Sequence, residues 1–206
     1  MERLIKIVDY IQENDVVADV GCDHGYLLKL ALENKNIKKG YAIDNKVGPL
    51  NSAKTNLSKY RNIEFVLSDG LKQVDNNDIN CVVIAGMGGV LICDIIKDSI
   101  NKFKNINKLI LCPNRNIDKV RLFLNDNGFK IVDETIVYED NKYYEILVVN
   151  LGFQKLSEKE IFFGKFLLEK KDEIFQKKWI EYYKKIENIE MKEYEKKLIE
   201  GVLNDC

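Results

Sequence analysis

Up to about residue 150 the chain alternates short apolar runs with amphipathic stretches. Leu4, Ile7, Val8 and Ile11 recur at helical spacing among charged residues, which predicts an amphipathic helix within residues 1–14. Val16–Val20 is a buried-strand run that ends in Gly21-Cys22-Asp23-His24-Gly25, and residues 26–32 then read as a helix. Residues 41–43 form a second strand closed by Asp44, and a helix follows over 48–59. Ile63–Leu67 is a third strand closed by Ser68-Asp69-Gly70. Cys81–Ala85, the most continuously apolar run, breaks at Gly86-Met87-Gly88-Gly89 before a helix over 90–100. Residues 109–112 end at Pro113-Asn114, and a helix runs to Asn125 with Gly128 as its stop. Residues 130–138 and 143–150 flank a turn at 139–142, the signature of an antiparallel hairpin.

Five apolar strands alternating with helices imply a parallel sheet covered on both faces, an α/β architecture. The hairpin adds two strands, one of them antiparallel. Seven such strands match the methyltransferase variant of the doubly wound, Rossmann-like fold, whose binding crevice lies outside the carboxyl ends of the strands. Near Asn150 the composition changes. Residues 151–206 carry 12 Lys/Arg and 12 Asp/Glu, no proline and only helix-compatible runs. Ser157 with Glu160 is a capping box, and Phe175, Trp179, Tyr182, Ile186 and Ile189 form one stripe of a long helix. The expected organisation is a domain over 1–150 and an antiparallel helical hairpin over 151–206. The stripe reads as helix packing in preference to an RNA-stacking surface.

The 206 residues suffice for one such domain and its appendage, and 46% hydrophobic residues suffice for a core. No apolar stretch spans a membrane and no signal-like segment opens the chain, so a cytoplasmic protein is expected. Five cysteines without a CxxC pair suggest neither a disulfide framework nor a zinc knuckle. The single His24 excludes multi-histidine zinc sites, and no GxSxG elbow accompanies it, so a hydrolase is disfavoured and no metal is expected. Net charge is −1, yet residues 35–61 hold seven Lys/Arg against Asp44 alone, and residues 97–121 hold seven against Asp98 and Asp118. These stretches read either as solvated loops or as a basic face for phosphates. The excess of Lys over Arg, 28 to 4, reads as genome bias and weakens the second reading.

The chemistry sits in the loops after the strands. Asp19-Val20-Gly21-Cys22-Asp23-His24-Gly25 turns a strand into a helix, and its Gly-x3-Gly spacing with an acid inside suits a dinucleotide pyrophosphate poorly. The carboxylates of Asp19 and Asp23 favour a cationic ligand such as the methionine end of S-adenosylmethionine. Asp44, closing the next strand, is placed to accept from ribose hydroxyls, and Asp69 with Gly70 to receive an adenine ring. Each also has a plain role as a turn former or helix cap. Ala85-Gly86-Met87-Gly88-Gly89 follows the fourth strand, where small residues let a flat base lie against backbone, and Asn114 and Arg115 add an amide and a guanidinium. No Asn/Asp-Pro-Pro-aromatic tetrapeptide is present, which points to a ring nitrogen as acceptor instead of an exocyclic amine.

The sequence resembles the bacterial tRNA (adenine-22-N1) methyltransferase family, TrmK. The likeness lies in residues 18–27, Gly48-Pro49-Leu50, Ser68-Asp69-Gly70-Leu71, residues 84–89, residues 109–114, Tyr143-Tyr144-Glu145-Ile146-Leu147 and Phe163-Gly164-Lys165. Asp44 stands where the family often has Glu, and Cys112 where it often has Gln. The resemblance implies S-adenosyl-L-methionine as cofactor and methyl transfer to N1 of a D-arm adenine of tRNA. It also implies a helical, coiled-coil-like extension that helps hold the RNA. The residues themselves agree: Asp19, Gly21, Asp23 and His24 are expected to hold the methionine end, Asp44 the ribose, and Asp69 with Gly70 the cofactor's adenine, with Ala85 a further cofactor-binding residue. Gly86, Met87, Asn114 and Arg115 are expected to shape the acceptor pocket, with Tyr26 as a candidate stacking face. A monomer is expected. The competing readings are a methyltransferase of this fold with another acceptor, a nicotinamide-dependent oxidoreductase, and a noncatalytic RNA-binding protein that kept the fold.

Overall fold

A computed structural model of the chain describes residues 1–74 and 78–205, without the side chains of residues 104 and 105, so Cys206 and the Lys104 side chain lie outside the described residues. Helix α1 (Glu2–Asp9) opens the fold with Ile7 and Val8 buried. It stops before the expected residue 14 because the Asp15 carboxylate accepts the N–H of Gln12 at 2.9 Å, a local turn that competes with the helix. Strands and helices then alternate: β1 (Val16–Val20), α2 (Tyr26–Lys35), β2 (Lys39–Asp44), α3 (Val47–Asn56), β3 (Ile63–Leu67), β4 (Cys81–Ala85) and α4 (Gly89–Asp98). A 3-10 turn (Ile100–Asn105), β5 (Lys108–Cys112), α5 (Ile117–Asp126), β6 (Phe129–Glu139) and β7 (Lys142–Leu151) complete the sheet region.

The strand order is β3-β2-β1-β4-β5-β7-β6. β1 to β5 are parallel, and β7 runs antiparallel to both β5 and β6. This is the α/β, Rossmann-like methyltransferase sheet expected from the apolar runs. The chain reverses its winding about β1, between β2 and β4, so the loops after these strands open a crevice. Because β7 is antiparallel, its first residues lie at that same edge of the sheet. Asp140 and Asn141, both with positive φ (50° and 59°), join β6 to β7 in a tight two-residue turn whose twist matches the strands. One apolar layer, including Ile84, Ile96, Leu111 and Val120, covers one face of the sheet; another, including Leu28, Ala42, Val83 and Ile110, covers the other.

Beyond β7 the chain forms α6 (Glu158–Phe163), α7 (Lys165–Lys170), α8 (Glu173–Ile186), a 3-10 turn (Glu190–Lys192) and α9 (Glu193–Leu203). The tail is therefore four helices, and only α8 and α9 are long enough to lie side by side. The capping box is present: Glu160 N–H donates to Ser157 Oγ while Ser157 N–H donates to the Glu160 carboxylate. Phe175, Trp179 and Ile186 of the stripe are buried with Phe163 in a third apolar cluster, and Tyr182 packs against it. Ile189 falls beyond the end of α8 and is exposed, so the stripe ends one residue earlier than its spacing suggests.

A buried charge network binds this tail to the sheet. Arg121 of α5 has no exposed surface, and its Nε donates to Glu134 of β6 at 2.7 Å. Its Nη2 meets Glu145 of β7, which also receives Lys178 of α8. Nη1 donates to the carbonyls of Ile161 and Phe162 at 3.3 and 3.4 Å, and Phe166 N–H donates to Glu134 at 3.1 Å. Burial pushes the Glu145 carboxyl up, but Lys178 and Arg121 outweigh it and hold the group below the ordinary value. Gly164, at φ +94°, passes so close that a Cβ there would sit 2.5 Å from Arg121 Nη2. Removing one partner from such a network leaves buried charges unpaired. Replacing Arg121 with Met is expected to cost about 3–5 kcal/mol of stability. Urea unfolding of the two proteins measures it, and a loss under about 1 kcal/mol would show that the network is not the joint between tail and sheet.

Candidate active site

The carboxyl ends of the parallel strands, the start of β7 and α8 enclose one cleft of about 1120 Å³. Of the residues expected from the sequence, Asp19, Gly21, Asp23, His24, Asp44, Asp69 and Gly70 line it, together with Ala85, Gly86, Met87 and Asn114. Parallel pairing sets this out: Asp19 lies beside Ala42 and Val83, and Asp44 beside Leu67, so the acids arrive at neighbouring strand ends.

The first loop turns sharply after β1, with Gly21, Asp23 and Gly25 at positive φ (77°, 48° and 72°). The N–H groups of Gly21 and Cys22 both donate to the carbonyl of Ile43, at 2.8 and 2.9 Å, which ties this loop to the end of β2. Asp44 completes the tie: one carboxylate oxygen accepts from Asp23 N–H at 3.3 Å and the other from Lys46 N–H at 2.9 Å. Asp44 is thus a turn former, and its two oxygens are held in place while each keeps accepting capacity. His24 is exposed, its Nε2 3.7 Å from Asp23 and its ring 5.7 Å from that of Tyr26, which is also exposed on the cleft. Asp69 is exposed and paired with Lys72 at 2.7 Å, and Gly70 turns the chain at φ +62°.

Asp19 is the most deeply buried member of this acid group, with Asp44 buried beside it. Desolvation first, then the nearby charges of Asp44 and Asp23, push its carboxyl up to about 7. A carboxylate so placed is neutralised either by a proton or by a cationic group.

The loop after β4 is latched to the loop after β5. Asn114 N–H donates to the Met87 carbonyl at 2.8 Å, its side-chain amide donates to the Gly86 carbonyl at 2.6 Å, and Gly89 N–H donates to the Arg115 carbonyl at 2.9 Å. The Asn114 side-chain oxygen keeps its accepting capacity. Met87 lies over the first loop, since a Cβ on Gly21 would come 2.2 Å from its methyl; Gly21 therefore makes room for Met87 as well as turning the chain. Gly89 is pressed against backbone, 2.4 Å from the Asn116 oxygen by the same measure, so no larger residue fits. Arg115 does not line the cleft. Its carbonyl serves the latch, and its side chain lies beside Gly88.

Several cations of the two basic stretches are engaged within the fold. Lys39 and Lys59 pair with Glu64 and Glu33, Lys108 donates to the Tyr10 carbonyl at 2.8 Å, Lys102 donates to three carbonyls after β3, and Arg121 is interior. Among the described residues of these stretches, Lys46 is the one cation that lines the cleft. Sequence reasoning missed Arg3, Tyr143, Tyr144, Glu181 and Lys185, which all line it. Arg3 reads as the polar face of an amphipathic helix, and the two tyrosines as strand residues. Only the fold brings them to the mouth.

A doubly wound sheet with acids at three adjacent strand ends, and a small-residue loop after the fourth, defines the class as a nucleoside-cofactor methyltransferase. The family model described as "TrmK: tRNA (adenine(22)-N(1))-methyltransferase" matches residues 17–202. A Bacillus subtilis tRNA (adenine(22)-N(1))-methyltransferase is 33% identical over 187 residues, which cover 86% of this chain and 79% of that protein. A Streptococcus pneumoniae protein solved in complex with S-adenosyl-L-methionine has a TM-score of 0.93 at 35% identity, covering 98% of this chain and 99% of its own. M. capricolum TrmK, solved in complex with S-adenosyl-homocysteine, has a TM-score of 0.80 at 28% identity, covering 99% of this chain and 94% of its own. The chain belongs to the TrmK tRNA (adenine(22)-N(1))-methyltransferase family.

The raised Asp19 carboxyl carries a pH consequence. With its folded value near 7 and an ordinary value of 3.8, the group favours the fold fully below pH 3.8 and loses that contribution as pH rises through 7. Thermal unfolding at pH 5, 6.5 and 8 without cofactor is expected to show the native chain losing stability relative to Asp19→Asn, by on the order of a few kcal/mol at the upper end. Parallel profiles for the two proteins would remove the assignment.

Proposed function

We infer that this chain transfers the methyl group of S-adenosyl-L-methionine to N1 of adenine 22 in tRNA. The observation that carries this reading is the family match over residues 17–202 on a chain whose cleft gathers the acids after β1, β2 and β3. The donor set fits the cofactor: Asp19 and Asp23 suit its cationic methionine end, Asp44 its ribose, and Asp69 with Gly70 and Ala85 its adenine side. When bound, the cofactor supplies a sulfonium methyl that a lone-pair nucleophile can take.

Adenine N1 carries its own lone pair in the ring plane, so the protein needs no strong base to activate it. As the N–C bond forms, the S–C bond breaks and the positive charge passes from sulfur to the purine, which stays within the field of the acidic cleft. Positioning then supplies most of the rate. The latch between the loops after β4 and β5 holds Gly86 and Met87 as a flat wall, and the Asn114 side-chain oxygen is available to the adenine's amine. N1 is hidden when the base is paired, so the target must leave its stack, at a cost of a few kcal/mol that pocket contacts offset. Tyr26, exposed on the cleft, offers one stacking face.

We propose residues 1–150 as the cofactor-binding unit and 151–206 as a helical extension that helps hold tRNA. Deleting the extension would strip Lys178 and two carbonyls from the buried network, so surface substitutions are the cleaner probe of that role. We further propose that the protein works as a monomer in the cytoplasm. Among the described residues no helix is long and apolar enough to cross a membrane.

Incubation of the protein with S-adenosyl-L-methionine and a tRNA transcript carrying adenine 22 is expected to yield N1-methyladenosine at that position alone, read by nucleoside mass spectrometry with site mapping. A transcript with guanine at position 22 should stay unmodified. Methyl transfer elsewhere in the RNA, or none, would overturn the reading. Asp44→Ala is expected to lower S-adenosyl-L-methionine affinity by at least about tenfold, equivalent to roughly 1.4 kcal/mol, with the cooperative unfolding transition retained. Titration calorimetry measures it, and unchanged affinity would end the ribose assignment.

A further inference from the structure

The cleft is divided by charge. Its acids other than Glu181 lie at the ends of β1, β2 and β3, with Lys46 beside them, whereas Arg3, Lys142 and Lys185 line it from α1, β7 and α8, beyond the end of β5. Many lysines elsewhere are paired: Lys39, Lys59, Lys72, Lys170, Lys178, Lys192 and Lys196 each hold a carboxylate. Among the described residues, the side chains of Arg3, Lys142 and Lys185 hold none. Three cations from three parts of the sequence therefore line one side of the cleft without an ion pair of their own, against the single carboxylate of Glu181.

Arg3 is the most organised of them. Its guanidinium carbon lies 4.5 Å from the centre of the Tyr144 ring, a stacked cation–π arrangement. In that pose Arg3 Nε is buried without a hydrogen-bond partner. An unsatisfied buried donor costs about 1–3 kcal/mol, so packing alone does not account for the pose. A stacked guanidinium has lost its rotational freedom and presents a fixed fork, the geometry that suits a phosphate. Tyr143 also lines the cleft, its ring 4.7 Å from that of Tyr138 in a tilted arrangement. Glu181, the acid on this side of the cleft, bears on the Tyr143 hydroxyl, which burial first and this carboxylate second push up to about 12.

We propose that Arg3, stacked on Tyr144 and flanked by Lys142 and Lys185, grips a backbone phosphate beside the extruded target nucleotide. The proposal rests on the tRNA reading and deepens it. An adenine brought to the loop after β4 carries its flanking phosphodiesters to the mouth of the cleft, and the unpaired cations stand on the side of the sheet away from the cofactor acids. Arg3 is then a positioning residue for the RNA backbone with no part in cofactor binding.

Arg3→Met keeps the stem volume and removes the fork; Lys185→Glu reverses an exposed charge on the same rim. With an adenine-22 tRNA transcript, both variants are expected to raise KM for tRNA about tenfold or more. Arg3→Met should also lower the slope of log affinity against log salt concentration by about one, the signature of one lost phosphate contact. S-adenosyl-L-methionine affinity should stay within twofold of the native protein, and Arg3→Lys should recover part of the lost tRNA affinity. Unchanged tRNA affinity and salt slope in Arg3→Met would overturn the proposal. So would an equal loss of cofactor and RNA affinity, which marks a general structural defect. If the native protein binds tRNA but does not methylate adenine 22, the functional reading fails, while the salt slopes still decide the role of Arg3.

Discussion

Arg121 is interior, and its charge is balanced by carboxylates from two adjacent strands, Glu134 and Glu145. Two carboxylates facing one guanidinium leave an excess negative charge, and Lys178 from the tail answers it. Its Nη1 is met by two carbonyls at the end of α6. Each member is costly to bury alone and acceptable only with the others present. The tail is in this way part of the electrostatic completion of the sheet.

That constraint reaches the cleft. Lys178, Glu181 and Lys185 lie on one helix at spacings of three and four, so anchoring the first through Glu145 sets where the other two stand. Glu145 is in turn two residues from Tyr143 and next to Tyr144, which carry the other side of the mouth. The residues that build the joint and those that line the rim alternate along the same strand and helix. A change in the joint therefore moves the rim.

The opposite side of the cleft is made differently. There the carboxyl ends of the parallel strands deliver the acids, and backbone hydrogen bonds from Gly21, Cys22 and Asp23 to β2 hold them in a shared frame. One side suits a cation and a nucleoside, the other an anion, and the loop after β4 lies between them. A methyl donor with a positive sulfur and a nucleotide with a negative backbone are separated by the same division of charge.

The apolar runs and the turns after them made the sheet, its winding and the acids Asp19, Asp23, Asp44 and Asp69 legible in the sequence. A strand buried on both faces writes itself as a continuous apolar run, and the loop after it sits at a known edge. The Gly-Met-Gly-Gly loop and Asn114 were legible for the same reason, and so was the helical tail. Three things were decided only by tertiary structure. Arg121, counted in the sequence as a cation of a basic stretch, is interior, because pairing of β6 with β7 brings Glu134 and Glu145 to it and α8 adds Lys178 against Glu145. Arg115 does not line the cleft: its side chain lies beside Gly88 and its carbonyl accepts from Gly89. Arg3, Tyr144 and Lys185 share a rim although the chain separates Arg3 from the other two by more than 100 residues, since an antiparallel strand returns to the edge where the parallel strands end. Local pattern records which face of an element is buried; which charges meet across elements depends on register and strand order, which that pattern does not encode.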